Sequence, residues 1–139
     1  MARVHETGRF TTPPQASELE ALSREAFATI PRELRGVLGN VVIQVVDFPD
    51  DETLDELDCE SPFDLLGLYR GVDLTKKSFM ELTPDSDMIY LYRRPILDYW
   101  CETGDDLGEV IRHVLIHEIG HHFGFSDEDM ERIEQGILG

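Results

Sequence analysis

Cysteine, positive charge and long apolar runs are all scarce in this chain, and each shortage removes a class of protein. Two cysteines in 139 residues, Cys59 and Cys101, are too few for a disulfide framework, so a reducing, cytoplasmic setting is the default expectation. No apolar run approaches the roughly 18 residues of a membrane-crossing helix, and the opening MARVHETGRFTTPP lacks the apolar stretch of a secretory signal. Only 12 Lys and Arg stand against 29 Asp and Glu, a formal charge of -17. With so little positive charge to neutralise phosphates, neither nucleic acid nor an anionic membrane surface is expected as a partner. No internal repeat or low-complexity tract is present, which argues against solenoids and arrays.

What is present is ordinary globular composition, 41% hydrophobic and 29% charged. A chain of this length fits one domain, expected over residues 15–139 behind a flexible leader, residues 1–14, that ends in Pro13-Pro14.

Hydrophobic spacing predicts a mixed, α+β order of elements. Ser17 and Glu20 offer a capping box for a first amphipathic helix carrying Leu19, Leu22, Ala26, Phe27 and Ile30. A short second helix from Pro31 should stop at Gly39. Residues 40–48 (NVVIQVVDF) read as a strand covered on both faces, inside the sheet. Residues 47–64 hold nine carboxylates and no basic residue, which predicts a solvated loop. Their D-x-x-D-D-E spacing lacks the alternating ligands and central glycine of a calcium loop. LLGLYRG, residues 65–71, suggests a short strand or tight turn, and residues 78–82 a strand after the Lys76-Lys77 turn. Residues 87–93 alternate Met88, Tyr90 and Tyr92 against Ile89 and Leu91, and Pro84 and Pro95 bracket them, which predicts a sheet edge. A short helix over 96–101 should break at Gly104, after which Asp105 or Asp106 can cap a buried helix carrying Leu107, Val110, Ile111, Val114, Leu115 and Ile119 up to Gly124. Residues 126–135 read as a short acidic helix.

The long helix carries His117-Glu118-Ile119-Gly120-His121, an H-E-x-x-H motif. Residues four apart differ by roughly 40° around a helix axis, so His117 and His121 share a face and can reach one metal ion. Glu118 points about 100° away, where it can act as general base toward water without ligating the ion. Gly124 lets the chain turn back, and Asp127 stands three residues further on, as a third ligand or as a helix cap, with Glu128 and Glu131 as neighbours. Two imidazoles, one carboxylate and an open position make a catalytic zinc shell, one ion per chain. His113, one turn before His117 on the same stripe, reads as structural, with support of a ligand or substitution for one as the alternative. His122 points away from the metal face and reads as a packing or surface residue, and Tyr69, Tyr90 and Tyr92 read as packing tyrosines that could also donate to an oxyanion.

HEIGHHFGFSD resembles the extended zincin signature H-E-x-x-H-x-x-G-x-x-H/D of the metzincin clan. Together with LLGLYRG and PDSDMIYLYRRPIL, it is more closely similar to the bacterial minimal zincin-like metallopeptidases, over roughly residues 17–135. That resemblance implies a zincin-like core in which a small twisted sheet sets the 87–93 strand as an edge above the active-site helix. It implies zinc on His117, His121 and Asp127, with Glu118 as catalytic base. Only twelve residues follow Asp127, and Met130 is too close to it for the Met-turn of the larger clan, so activity is expected to be restricted to unfolded peptides.

The expectation is a zinc peptidase whose substrate, an extended polypeptide, adds to the edge strand through the backbone of Ile89 and Leu91. The rivals are a zinc-holding module that binds peptides or a partner without cutting, and a metal-dependent endoribonuclease, which both Glu118 and the acidic charge oppose.

Overall fold

One apolar helix organises the rest. α5 (Leu107–Phe123) buries Leu107, Val110, Ile111, Val114, Leu115, Ile116, Ile119 and Gly120, and the other elements gather around that face. Its start is fixed by Asp106, whose side chain accepts from Glu109 N–H, and its end by Gly124 at φ 76°, a conformation that glycine adopts without a Cβ clash. The computed structural model describes residues 12–36, 38, 40–71 and 87–135. Before α5 come α1 (Ala16–Ala28), α2 (Arg32–Arg35), β1 (Val41–Val46), α3 (Asp51–Glu56), a 3-10 turn (Pro62–Asp64), β2 (Gly67–Arg70), β3 (Asp87–Tyr92) and α4 (Arg93–Thr103); α6 (Asp127–Glu134) follows it. The fold is α+β, as expected.

The sheet order is β1-β3-β2, with β1 parallel and β2 antiparallel to β3. β3 is therefore the central strand and not the expected edge. Its residues pair on both sides, Ile89 with Ile43 and Tyr69, Leu91 with Val45 and Gly67, and both side chains are fully buried. Ile89 and Leu91 thus have no unpaired backbone edge to offer a peptide. Pro95 gave a false edge signal, because it sits in the first turn of α4, where a missing N–H costs no helical hydrogen bond. β1, expected inside the sheet, lies at its margin among the described residues, with Val42 and Gln44 exposed.

The acidic stretch after β1 is not a plain loop. Asp50 caps α3 by accepting from Thr53 N–H at 2.8 Å, and Asp51 and Glu52 lie in its first turn, where carboxylates favour a helix. The cap of α1 lies two residues before the expected one: Gln15 N–H donates to Glu18 at 2.8 Å. Pro14 is buried, and its carbonyl accepts from Arg93 Nε at 2.7 Å. The expected strand at 78–82, the Lys76-Lys77 turn, Gly39 and most of the leader lie outside the described residues.

β2 meets α5 at Gly67. A Cβ placed there would meet Val114 Cγ1 at 2.7 Å and the Tyr90 carbonyl at 3.1 Å, so glycine is what lets strand and helix approach. Gly67→Ala should lower the unfolding free energy by about 1–3 kcal/mol through overpacking, read as a lower urea midpoint.

Candidate metal centre

α5 turns His113, His117 and His121 toward one side at four-residue steps. The ring centroids of His113 and His117 lie 4.1 Å apart, and those of His117 and His121 lie 6.0 Å apart with their planes near perpendicular. His117 is half-buried, and burial, followed by the neighbouring His113, holds its imidazole below its ordinary pKa, against the opposing pull of Glu134 and Asp127. That favours the neutral ring, the form that ligates a metal.

Glu118 lies on the sheet side of the same turn. Burial pushes its carboxyl pKa up, opposed by His121 and by a hydrogen bond from Tyr69 N–H. That bond follows from register. Tyr92 N–H donates to the Leu66 carbonyl at 2.9 Å, and the antiparallel ladder alternates from there. Tyr69 therefore aims its N–H and C=O away from β3, and the N–H reaches Glu118 on α5. Its hydroxyl donates to Asp87 at 2.5 Å, and its ring stacks on His122 with centroids 4.0 Å apart. His122 is a packing residue in this arrangement, as its spacing suggested. Tyr92 is buried, and its hydroxyl is pushed up to about 12, chiefly by that burial. Tyr90 and Tyr92 line a cleft of about 390 Å³ together with Phe48 and Arg70.

Asp127 opens α6 as an exposed first-turn residue; the cap is Ser126, whose hydroxyl accepts from Asp129 N–H at 3.1 Å. Asp127 acts on His117 electrostatically. Among the described residues, however, the donor atoms that converge belong to His113, His117 and Glu134, all within 4.8 Å of one another. His121 and Asp127 stand outside that group. Glu134 Oε1 is wholly buried, with no aligned hydrogen bond, lying against His113 Nδ1 and 3.6 Å from His117 Nε2. The nitrogen and carboxylate donors suit zinc or a similar divalent ion. Sequence reasoning noted His113 as a possible substitute ligand but preferred a structural role for it, and missed Glu134. The four-residue step back from His117 is the signal that made His113 a candidate, whereas the position of Glu134 depends on how α6 folds back.

A family model described as zincin-like metallopeptidase matches residues 38–137 of the chain, from just before β1 to just past α6. None of the curated proteins compared with it matches.

The raised pKa of Glu118 has a stability consequence with a definite sign. A carboxyl that binds its proton more tightly when folded favours the folded state below its unfolded value, about 4.5, and loses that contribution as pH rises through the folded value. In chelator-treated protein, Glu118→Gln should therefore raise the melting temperature at pH 7, and the gain should fade below about pH 4.5.

Proposed function

The chain belongs to the family of zincin-like metallopeptidases, and from that premise we propose that it hydrolyses peptide bonds with zinc held by His117 and His121 and with Glu118 as general base. The observation that carries this reading is the half-buried Glu118 carboxylate, tied to the backbone of β2 beside the two histidines. When bound, a divalent ion there supplies Lewis acidity toward water and the scissile carbonyl.

Glu118 does the proton work. Its raised proton affinity brings it closer to neutrality, where one group can take a proton from the attacking water and then deliver it to the leaving amine. The Tyr69 N–H bond holds the carboxylate in place while it does so. Asp127 is the proposed third ligand, brought round by the Gly124 turn and placed six residues after His121.

The substrate is an extended or unfolded polypeptide. Its docking strand is β2 rather than β3: β2 is a margin of the sheet among the described residues, and with the Tyr69 N–H committed to Glu118, the groups turned away from β3 that are left for a peptide are the Gly67 N–H and C=O and the Tyr69 carbonyl. A formal charge of -17 favours cationic over acidic segments. No helix among the described residues is long and apolar enough to cross a membrane, and a cytoplasmic site of action is part of this proposal.

The convergence of His113, His117 and Glu134 away from Glu118 also suits a module that holds zinc without cutting. Turnover of a library of unfolded peptides separates the two. Glu118→Gln should lower turnover by about 10²- to 10⁴-fold while the zinc content stays at one per chain. Equal turnover in both proteins, or none in the parent, would contradict the peptidase.

A further inference from the structure

α5 carries two overlapping histidine pairs. His117 and His121 form the H-E-x-x-H pair, and His113 and His117 repeat the same spacing one turn earlier. The residue after the first histidine differs between them: Glu118 follows His117, but Val114 follows His113, and Val114 is buried in the core. The earlier pair has what is needed to hold an ion and lacks the general base at the position that would use it.

We propose that His113, His117 and Glu134 form a second seat for a divalent transition metal, which competes with the H-E-x-x-H pair for His117 and holds the ion out of reach of Glu118. The seat itself needs only these three residues; the competition rests on the peptidase reading above.

Three observations support the seat. Its donor atoms already lie within 4.8 Å of one another. Two imidazoles and a carboxylate, the first two four residues apart on a helix, are a donor set that zinc, cobalt and nickel accept. Glu134 Oε1 is buried against His113 Nδ1 and 3.6 Å from His117 Nε2, so the carboxylate already faces both imidazoles that an ion would join.

The backbone that presents Glu134 is anchored independently. Arg112 Nη1 donates to the Glu134 carbonyl at 3.1 Å and Arg112 Nε to Thr29 Oγ1 at 2.9 Å, tying the end of α6 to α5 and α1. The seat opens to a cleft of about 230 Å³ lined in part by Tyr99, Asp105, Glu109, His113 and Glu134, which gives an ion a way in. Arg112 lines the same cleft.

Sharing His117 makes the two seats exclusive. Its Nε2 faces Glu134, and one imidazole nitrogen has one lone pair to give. An ion in the second seat therefore removes a ligand from the catalytic one. The seat acts as a parking place that lowers the active fraction without inhibitor or partner, and its loss should raise the activity per bound zinc.

The test is Co²⁺ and Zn²⁺ binding to the full chain by chelator competition, with visible absorption of the Co²⁺ form, in the parent and in His121→Ala, His113→Ala, Glu134→Gln and His117→Ala. Both His113 and His121 are exposed, so these changes leave the core intact, and circular dichroism checks it. His121→Gln serves as a second variant at that position. The proposal expects His121→Ala to keep one Co²⁺ per chain with an altered spectrum. Adding His113→Ala or Glu134→Gln to it should weaken binding about a hundredfold, to the level of His117→Ala. Loss of the ion in His121→Ala to the His117→Ala level would overturn the seat and leave the peptidase reading standing. Loss in His113→Ala with retention in His121→Ala would support the seat and count against the H-E-x-x-H ligands.

Discussion

Burial of one face of α5 is the constraint on which the rest of the structure depends. Ile111, Leu115, Ile116 and Ile119 are fully buried, and they fix the rotation of the helix about its axis. Once that rotation is set, a four-residue repeat of histidine must emerge on one side, and Glu118 must face the sheet. Close approach on two flanks holds it there. Gly67 admits β2, and at Gly120 an added Cβ would meet Met130 Sδ at 2.3 Å, so glycine lets α6 fold against the helix. The proposed chemistry is a consequence of packing, because the positions of the proposed ligands and base are set by the apolar residues that fix the helix rotation.

The second consequence is electrostatic. α5 lifts a carboxylate and an imidazole out of water together, and burial moves their proton affinities in opposite directions, Glu118 up and His117 down. Both shifts favour the neutral form, as partial desolvation requires. A neutral imidazole is ready to ligate, and a carboxyl with raised affinity is better suited to proton transfer. The β2 backbone keeps the second effect within bounds, since the Tyr69 N–H still favours the ionised carboxylate. One strand thus limits the burial effect on the proposed base.

Much of this was legible in the sequence, and the failures have physical causes. α5 was readable from end to end because periodicity, the Asp106 cap and the Gly124 stop all agree. The H-E-x-x-H residues were readable because helical spacing is local geometry. Strand order was not, because Ile89 and Leu91 look the same at a margin as in the centre, and Pro95 stops a strand and starts a helix equally well. α3 was missed because a run of acids reads as solvated loop until one of them, Asp50, is seen capping a helix. Glu134 was invisible because it reaches His113 and His117 through the packing of α6, which no spacing along the chain encodes.

Anomalous diffraction at the zinc edge from crystals of the zinc-loaded protein tests the central claim most directly, that α5 is a metal-binding helix whose base stands beside the ion. The account predicts one peak per chain about 2.0–2.1 Å from a His117 ring nitrogen, with His121 as the partner in the catalytic form and the Glu118 carboxylate beside the ion but not bound to it. A peak ligated by no residue of α5, or by Glu118 itself, would contradict it.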